Sequence, residues 1–248
     1  MSNVHKDLMT AAAGNAGGAT YVEDLFETRL YVGTLNTYPN NIVNGFDFDD
    51  KGGLVWIKNR DQGDSHYWYD TNRGDHQRLN SDSTSAETDE TAQVGLAFNS
   101  DGFSVGDIHQ TNAGSENFVA WCWLKQEKFF DIVTYSGNAT NGRAINHNLG
   151  STPGMIIVKS KTSSTHWAVY HRSLGEGHYT LLNTNDAKSV YDSNNTNSRY
   201  WNNTAPTSTQ FTVSNDGWVN GSGQDYVAYI FAHDEEEFGE NSDEAIIN

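Results

Sequence analysis

Short apolar runs alternate with polar, glycine-rich segments along most of the chain, and this pattern predicts an all-β fold. Two runs, residues 54–58 and 155–159, are too apolar to alternate, so we predict central strands with both faces covered. Turn-forming Gly, Asn, Asp and Ser separate the runs at intervals of roughly 8–12 residues. Such spacing is typical of a β-sandwich or jelly roll.

The apolar runs of the first half recur in the second half. Residues 53–59 match residues 154–160 at an offset of 101 (154 − 53), and the most apolar run, 118–123, matches 226–231. An internal repeat of this kind indicates a duplicated module. Further matches predicted from the sequence are Tyr69 with Tyr170, Gly74 with Gly175, 79–80 with 182–183, 100–103 with 215–218, and 30–34 with 133–137.

The repeat predicts two tandem β-sandwich or jelly-roll-like modules, residues 22–125 and 126–233. Residues 1–21, rich in Ala and Gly, are expected to form a flexible N-terminal arm. Residues 234–248 are expected to form an acidic linker that stops where another module would begin, as in the proximal part of a longer protein. In each module an Asp-Gly pair, at 101–102 and 216–217, predicts a β-hairpin.

Charge and cysteine content exclude several classes of protein. The formal net charge of −17 disfavours nucleic acids and anionic membranes as partners, because both are bound through clustered Lys and Arg. No apolar run approaches the ~20 residues of a membrane span, and residues 1–20 lack the features of a secretory signal. The single cysteine, Cys122, lies in an apolar run and is predicted to be a buried hydrophobic residue.

Catalytic motifs are missing from the sequence, so we predict that the protein is not an enzyme and needs no cofactor. It has no nucleophile elbow, phosphate-binding loop, zinc helix or dinucleotide fingerprint. A glycosidase needs only two carboxylates, for which Asp70, Asp82 and Glu87 are candidates. Loop 81–91 is rich in carboxylates but lacks a fixed calcium-ligand spacing, so no metal site is predicted. The two histidines His66 and His166 are expected to be polar surface residues.

Aromatic residues favour carbohydrate binding as the alternative function, because an exposed ring offers a flat apolar platform. Its candidates are Tyr67, Trp68, Trp201 and Trp218, although large aromatics also supply core area.

The motifs together resemble the repeated-module virion proteins of marine tailed phages, including those that infect cyanobacteria. The resemblance covers nearly the whole chain. The motifs are Gly-Leu-Val-Trp-Ile-Lys at 53–58, Tyr-Asp-x-x-Arg-Gly at 69–74, Phe-Asn-Ser-Asp-Gly-Phe at 98–103, Val-Ala-Trp-Cys-Trp at 119–123, Asn-Leu-Gly-Ser-Thr-Pro-Gly-Met-Ile at 148–156, and Trp-Ala-Val-Tyr-His-Arg at 167–172.

This resemblance implies a tail or tail-fibre associated structural protein of the virion, assembled in the host cytoplasm. Its expected partners are other virion proteins and further copies of itself, with a trimer if it is a fibre. The resemblance supplies no catalytic residues. A lectin-like binder of host-surface glycans and a capsid decoration protein are the alternatives.

Overall fold

A computed structural model describes residues 20–35, 37–190 and 200–233, and it confirms the predicted all-β sandwich class. Two one-turn helices, α1 (Phe48–Lys51) and α2 (His109–Asn112), interrupt the strands. Within the described ranges, no helix is long and apolar enough to cross a membrane. The strands of the first half are β1 (Phe26–Val32), β2 (Asn40–Val43), β3 (Gly53–Asn59), β4 (Tyr67–Asp70), β5 (Gln77–Asn80), β6 (Thr88–Asp89), β7 (Leu96–Asn99), β8 (Gly102–Val105) and β9 (Asn117–Leu124).

The second half repeats this arrangement with one strand fewer among the described residues. Its strands are β10 (Phe130–Ser136), β11 (Arg143–Asn146), β12 (Pro153–Ser160), β13 (Ala168–His171), β14 (His178–Leu181), β15 (Ser189–Val190), β16 (Gln210–Val213) and β17 (Asp225–Ala232).

Each half builds one large antiparallel sheet with the same strand order. The first runs β1-β9-β3-β4-β5-β6 and the second runs β10-β17-β12-β13-β14-β15. The apolar runs predicted to be central, β3 and β12, each lie third in their sheet and are covered on both faces. The last strand of each half lies between the first and the third strand of that half. In the first half β9 pairs with β1 and β3, and in the second half β17 pairs with β10 and β12.

A small sheet covers the outer face of each large sheet. The first has the order β2-β8-β7, and the second consists of β11 and β16. In the first half, the Tyr31 ring stacks on Phe118 of the large sheet at 5.1 Å and meets Phe103 of the small sheet edge-on at 6.2 Å. In the second half, Tyr135 stacks on Tyr226 at 5.2 Å. The apolar core between small and large sheet is thus built around the same tyrosine twice.

The two large sheets pack face to face, and their contact forms a shared core. Trp68 of β4 meets Trp167 at 5.1 Å and Tyr229 at 4.8 Å, both edge-on, and Trp123 meets Phe231. Aromatic residues bury large areas at such contacts and prefer edge-to-face geometry. The molecule therefore has four layers, with the two large sheets in the middle.

Two tyrosine hydroxyl groups make matching hydrogen bonds in the two halves. Tyr31 donates to the carbonyl of Thr111, and Tyr135 donates to the carbonyl of Val219, each at 2.7 Å. The residue after β1, Gly33, lies so close to α2 that an added Cβ would stand 2.0 Å from the carbonyl oxygen of Ala113. Gly137 is equally close to the Gly221 carbonyl, at 2.1 Å. Neither position has room for a side chain.

These contacts correct the register of the predicted repeat. Tyr31 corresponds to Tyr135, an offset of 104 (135 − 31), so the predicted match of 30–34 with 133–137 is wrong by one residue. Phe103 pairs with Ile42 as Phe211 pairs with Ile145, an offset of 108 (211 − 103). The predicted match of 100–103 with 215–218 is therefore also wrong. So is that of 79–80 with 182–183, because Asn80 pairs with Tyr67 as Leu181 pairs with Ala168, an offset of 101 (181 − 80).

The hairpin predicted at residues 101–102 is confirmed, but the one at 216–217 is wrong. The first turn joins β7 to β8. Asp216 instead begins a helical turn, because its carboxylate accepts from the N–H of Trp218 at 2.8 Å and its carbonyl accepts from that of Asn220. A short polar side chain at the start of a helical turn satisfies N–H groups in the same way. The Asp-Gly pair serves two different turns.

The two halves predicted as separate modules share one hydrophobic core. The cluster of buried residues that includes Leu54 and Trp68 continues into Trp167 and Tyr229 of the other half. The halves are thus joined through packing as well as through the chain. The boundary at residues 125 and 126 stays a prediction, and residues 1–19 and 234–248, which contain most of the predicted arm and the linker, lie outside the described residues.

Candidate functional site: a cleft between the two halves

A cleft of about 530 Å³ opens where the turn after β5 meets the turn after β14. Four of its residues come from each half. The lining consists of Trp56, His66, Ser81, Asp82, Leu182, Asn183, Thr184 and Asn185. One aromatic residue and a rim of polar side chains therefore converge on a single concave surface, as in small-molecule sites.

The aromatic residue of the cleft, Trp56, is held by its neighbours. Its ring packs against Trp68 at 5.0 Å and against Trp121 at 5.1 Å. Its indole Nε1–H donates to Nδ1 of His66 at 2.9 Å. Because ring packing and the hydrogen bond act together, the indole plane has a fixed orientation.

The same hydrogen bond determines the tautomer of His66. Since Nδ1 accepts from the indole, the ring proton of the neutral imidazole lies on Nε2, which is a donor. Burial lowers the pKa of His66, and the nearby charge of Lys58 lowers it further, while Asp82 opposes both. This shift favours the neutral form of His66.

The rim of the cleft is made by the same turn in both halves. The backbone N–H of His66 donates to the carboxylate of Asp82 at 3.3 Å, and that of Trp167 donates to the side-chain oxygen of Asn183 at 3.1 Å. Both pairs are separated by the repeat offset of 101 (167 − 66). Asp82 and Asn183 are thus equivalent residues that meet at one cleft, and no Lys or Arg of the described part of the chain lines it.

A buried ionic cluster joins the halves elsewhere in the shared core. Both the Arg73 and Asp70 side chains are fully buried, and the guanidinium pairs with Asp70 and with Glu87, at 2.5 and 3.0 Å. The Tyr229 hydroxyl of the other half donates to Asp70 at 2.8 Å. Despite its burial, the pKa of Arg73 is raised, by the charges of Asp70, Tyr229 and Glu87. We call these four residues the ionic clasp.

Two of the three carboxylates considered for a glycosidase belong to the ionic clasp. Asp70 and Glu87 are both bound by one arginine, while Asp82 lies apart from them in the cleft. The structure therefore assigns Asp70 to the core. Cys122 is buried, as predicted, and burial raises the pKa of its thiol.

A lysine near the end of each third strand, half-buried Lys58 in β3 and buried Lys159 in β12, holds the loop that follows. Nζ of Lys159 donates to the carbonyls of Ser160 and Ser163, at 2.8 and 3.3 Å. Its equivalent, Lys58, donates to the carbonyls of Asn59 and Gln62. Burial lowers the pKa of Lys159 to about 8. Both lysines stabilise loops, which explains why the repeat contains them.

One group of side chains has atoms of the kind that bind metals. Asp64, His109 and Glu116 bring ligand-type atoms within 4.8 Å of one another. The amide Nδ2 of Asn59 already donates to both carboxylates, at 2.8 and 2.6 Å. The hydrogen bonds account for the proximity, so we assign no metal to this group.

The four aromatic residues predicted to bind glycans do not form one site. Tyr67, Trp68 and Trp201 are buried, with 5%, 1% and 2% of their surfaces exposed. Trp218 is partly buried and packs against Tyr200 at 5.7 Å. The three buried residues belong to the core and offer no platform to a ligand.

The histidines differ from the surface residues that were expected. His66 lies in the cleft, and His166 packs against Trp218 at 4.7 Å and hydrogen-bonds with Asn183. The sequence analysis did not select Trp56 as a binding residue. The signal available was its replacement by Ile157 in the second half, since an aromatic that differs between copies is not required by the shared core.

A family model described as "Domain of unknown function (DUF7483)" matches residues 22–239. No curated protein and no solved structure matches the chain.

Proposed function

Because the chain belongs to the DUF7483 family, whose description assigns no activity, we propose from its own residues that it is a virion structural protein of a tailed phage. In this proposal it is associated with the tail or a tail fibre. The observation that carries the proposal is the fusion of two repeated halves through a continuous core and a buried ionic clasp. Such a body serves as a rigid building element.

The motifs that suggest a virion protein lie at architectural positions. Residues 53–58 and 119–123 belong to the paired central strands β3 and β9. The Tyr-Asp-x-x-Arg-Gly motif at 69–74 contains Asp70 and Arg73 of the clasp. Its glycine, Gly74, has a φ of +92°, which glycine adopts without strain. The motifs thus lie at positions that build a scaffold.

Exposed apolar residues on one edge support assembly with other virion proteins. Leu30 and Val32 of the edge strand β1 are 59% and 54% exposed. The equivalent residues of β10 are the polar Thr134 and Ser136. An apolar edge on one half alone favours contact with a neighbouring subunit, another copy of the chain or a different virion protein.

The proposal is tested on particles of the phage that encodes the chain. Virions purified on a density gradient are digested and analysed by mass spectrometry, with the major capsid protein as the positive control. We expect peptides of this chain at a constant ratio to the capsid protein across the particle peak. Their absence from the peak would refute the proposal.

Labelling with a specific antibody distinguishes the possible positions on the particle. Gold particles on the tail or its fibres support the proposed position, while labelling of the head favours a capsid decoration protein. Light scattering of the purified chain measures its oligomeric state, for which we expect a homo-oligomer.

A further inference from the structure

We propose that the cleft between the two halves binds a neutral carbohydrate. The inference goes beyond the structural role proposed above and is independent of it, because it concerns the purified chain. It rests on the side chains that line the cleft, on their hydrogen-bonding capacity and on their charge.

The floor of the cleft suits the apolar face of a sugar ring. Pyranose rings carry C–H groups on their faces and hydroxyl groups at their edges, so a flat aromatic surface stabilises them by dispersion and burial. Trp56 provides such a surface, and its orientation is fixed by Trp121 and by the hydrogen bond to His66. Because the tryptophan is already ordered, binding of a sugar costs little conformational entropy of this side chain.

The rim supplies both the hydrogen-bond donors and the acceptors that sugar hydroxyl groups need. A sugar hydroxyl donates one hydrogen bond and accepts others, so its site needs acceptors and donors close together. Acceptors are the carboxylate of Asp82 and the amide oxygens, while the neutral imidazole of His66 and the amide N–H groups of Asn185 are donors. Bonds to the charged carboxylate are the stronger ones.

Charge selects neutral sugars over acidic ones. Among the described residues, the cleft is lined by one carboxylate and by no Lys or Arg, and the whole chain has a net charge of −17. Sulfated or uronic sugars and phosphates would meet repulsion from Asp82 with no cation among these lining residues, because the Lys58 ammonium near His66 is held by the carbonyls of Asn59 and Gln62. The volume of about 530 Å³ lies within the usual range of small-molecule pockets, roughly 300–1,000 Å³.

The inference also explains why the two halves differ at this place. Ile157 replaces Trp56 in the second half, and Trp167 stands at the position of His66. Trp167 is buried against Trp68, and its indole N–H donates to the carbonyls of Asn80 and Ser83. The second half therefore contributes residues 182–185 to the cleft. It has no equivalent cleft of its own at Ile157 and Trp167, so we predict one binding site per chain.

Titration calorimetry on the purified full chain tests the proposal. The neutral probes are maltotriose, cellotriose, mannotriose and β-galactotriose, and the acidic probe is trigalacturonic acid. We expect one-to-one binding of at least one neutral probe, with at least about tenfold weaker binding of the acidic one. Absence of binding of every neutral probe up to about 10 mM, or preference for the acidic probe, would overturn the proposal.

Variants locate the site. Trp56→Ala and Asp82→Ala are each expected to weaken binding at least about tenfold, since each removes a major contact. Tyr38→Ala, which removes a half-exposed aromatic ring outside the cleft, is the control for a lost aromatic residue, and Asp101→Ala, in the exposed turn before β8, is the control for a lost carboxylate.

Circular dichroism establishes which variants are folded. If Trp56→Ala fails to fold, Asp82→Ala decides the question, because Asp82 lies on the rim and outside the core. Unchanged binding in the folded cleft variants, or equal losses in the controls, would overturn the proposal. Presence in virions does not depend on these results, so the failure of one proposal leaves the other standing.

Discussion

Removing the hydroxyl group of Tyr229 tests whether the ionic clasp holds the two halves together. The hydroxyl is buried and donates to Oδ2 of Asp70 at 2.8 Å across the shared core. The variant Tyr229→Phe keeps the ring, which packs on Trp68 and Trp167, and deletes only this hydrogen bond. Any loss of stability therefore reports the bond between the halves.

The expected loss follows from the partners that remain. Hydrogen bonds to charged groups contribute about 1.5–3 kcal/mol. Asp70 still accepts from the guanidinium and from the backbone N–H of Arg73, so we expect a loss of about 2 kcal/mol. Asp70→Asn leaves Arg73 with Glu87 as its ionic partner, and we expect it to cost about 3 kcal/mol, as when a buried pair is broken.

The assay is urea unfolding at pH 7, followed by far-ultraviolet circular dichroism and tryptophan fluorescence. The matched control is Tyr31→Phe, because the Tyr31 hydroxyl donates at 2.7 Å to a neutral backbone carbonyl in its own half. We expect that control to lose about 1 kcal/mol. In thermal unfolding, the Tyr229→Phe loss corresponds to a fall in Tm of roughly 4–8 °C.

Two results would refute this reasoning. One is an equal loss in Tyr229→Phe and Tyr31→Phe, which would show that the ionic acceptor adds nothing. The other is simple additivity of Asp70→Asn and Tyr229→Phe in the double variant, since residues in one hydrogen-bond network should couple by at least about 0.5 kcal/mol. Two separate unfolding transitions would contradict a core shared by both halves.

Two further predictions concern single residues. Gly33→Ala should destabilise the protein by about 3 kcal/mol in urea unfolding, because its Cβ would stand 2.0 Å from the Ala113 carbonyl oxygen. Gly217→Ala, which meets nothing within 4 Å, is the control, and equal losses would contradict the argument. For Lys159, the pKa is about 8 in the folded protein against 10.5 in the unfolded chain, so the unfolded state binds more protons between these values. Stability should therefore rise from pH 8 to about pH 9.5, where tyrosine titration begins, by at most about 1.4 kcal/mol per pH unit. Lys159→Met should remove that rise while Lys58→Met keeps it, and a slope unchanged in Lys159→Met would count against the assignment.

The central strands could be predicted from the sequence, because a strand with apolar residues on both faces must lie inside the fold, where both faces are covered. The runs at β3 and β12 did lie in the middle of their sheets. The Asp-Gly pair at 216–217 does not form the predicted hairpin, since Asp followed by Gly suits a hairpin and also the start of a helical turn. At 101–102 the strands β7 and β8 flank the turn directly, whereas at 216–217 the next strand, β17, begins only at Asp225.

The cleft and the clasp were beyond sequence reasoning for a different reason. Asp70 and Arg73 are three residues apart, but Glu87 and Tyr229 reach them only after the two sheets have stacked. Likewise, the aromatic candidates were chosen by residue type, whereas exposure depends on which face each strand turns to its partner sheet. Trp68 and Trp56 lie on the same face of their sheet. The second half covers Trp68, whereas Trp56 lies at the margin of the contact between the two halves and lines the cleft.

The strand order has a consequence for synthesis on the ribosome. The first large sheet is complete once β9, which ends at Leu124, has emerged, whereas the second needs β17, which ends at Ala232. At roughly 5–20 residues per second, the intervening 108 residues (232 − 124) take about 5–22 s. Until its end, Tyr229 and Phe231, which contact Trp68 and Trp123 in the folded protein, have not been synthesised, so we expect these tryptophans to be uncovered on the nascent first half. The chain is most vulnerable to aggregation, and to binding by chaperones, in those seconds.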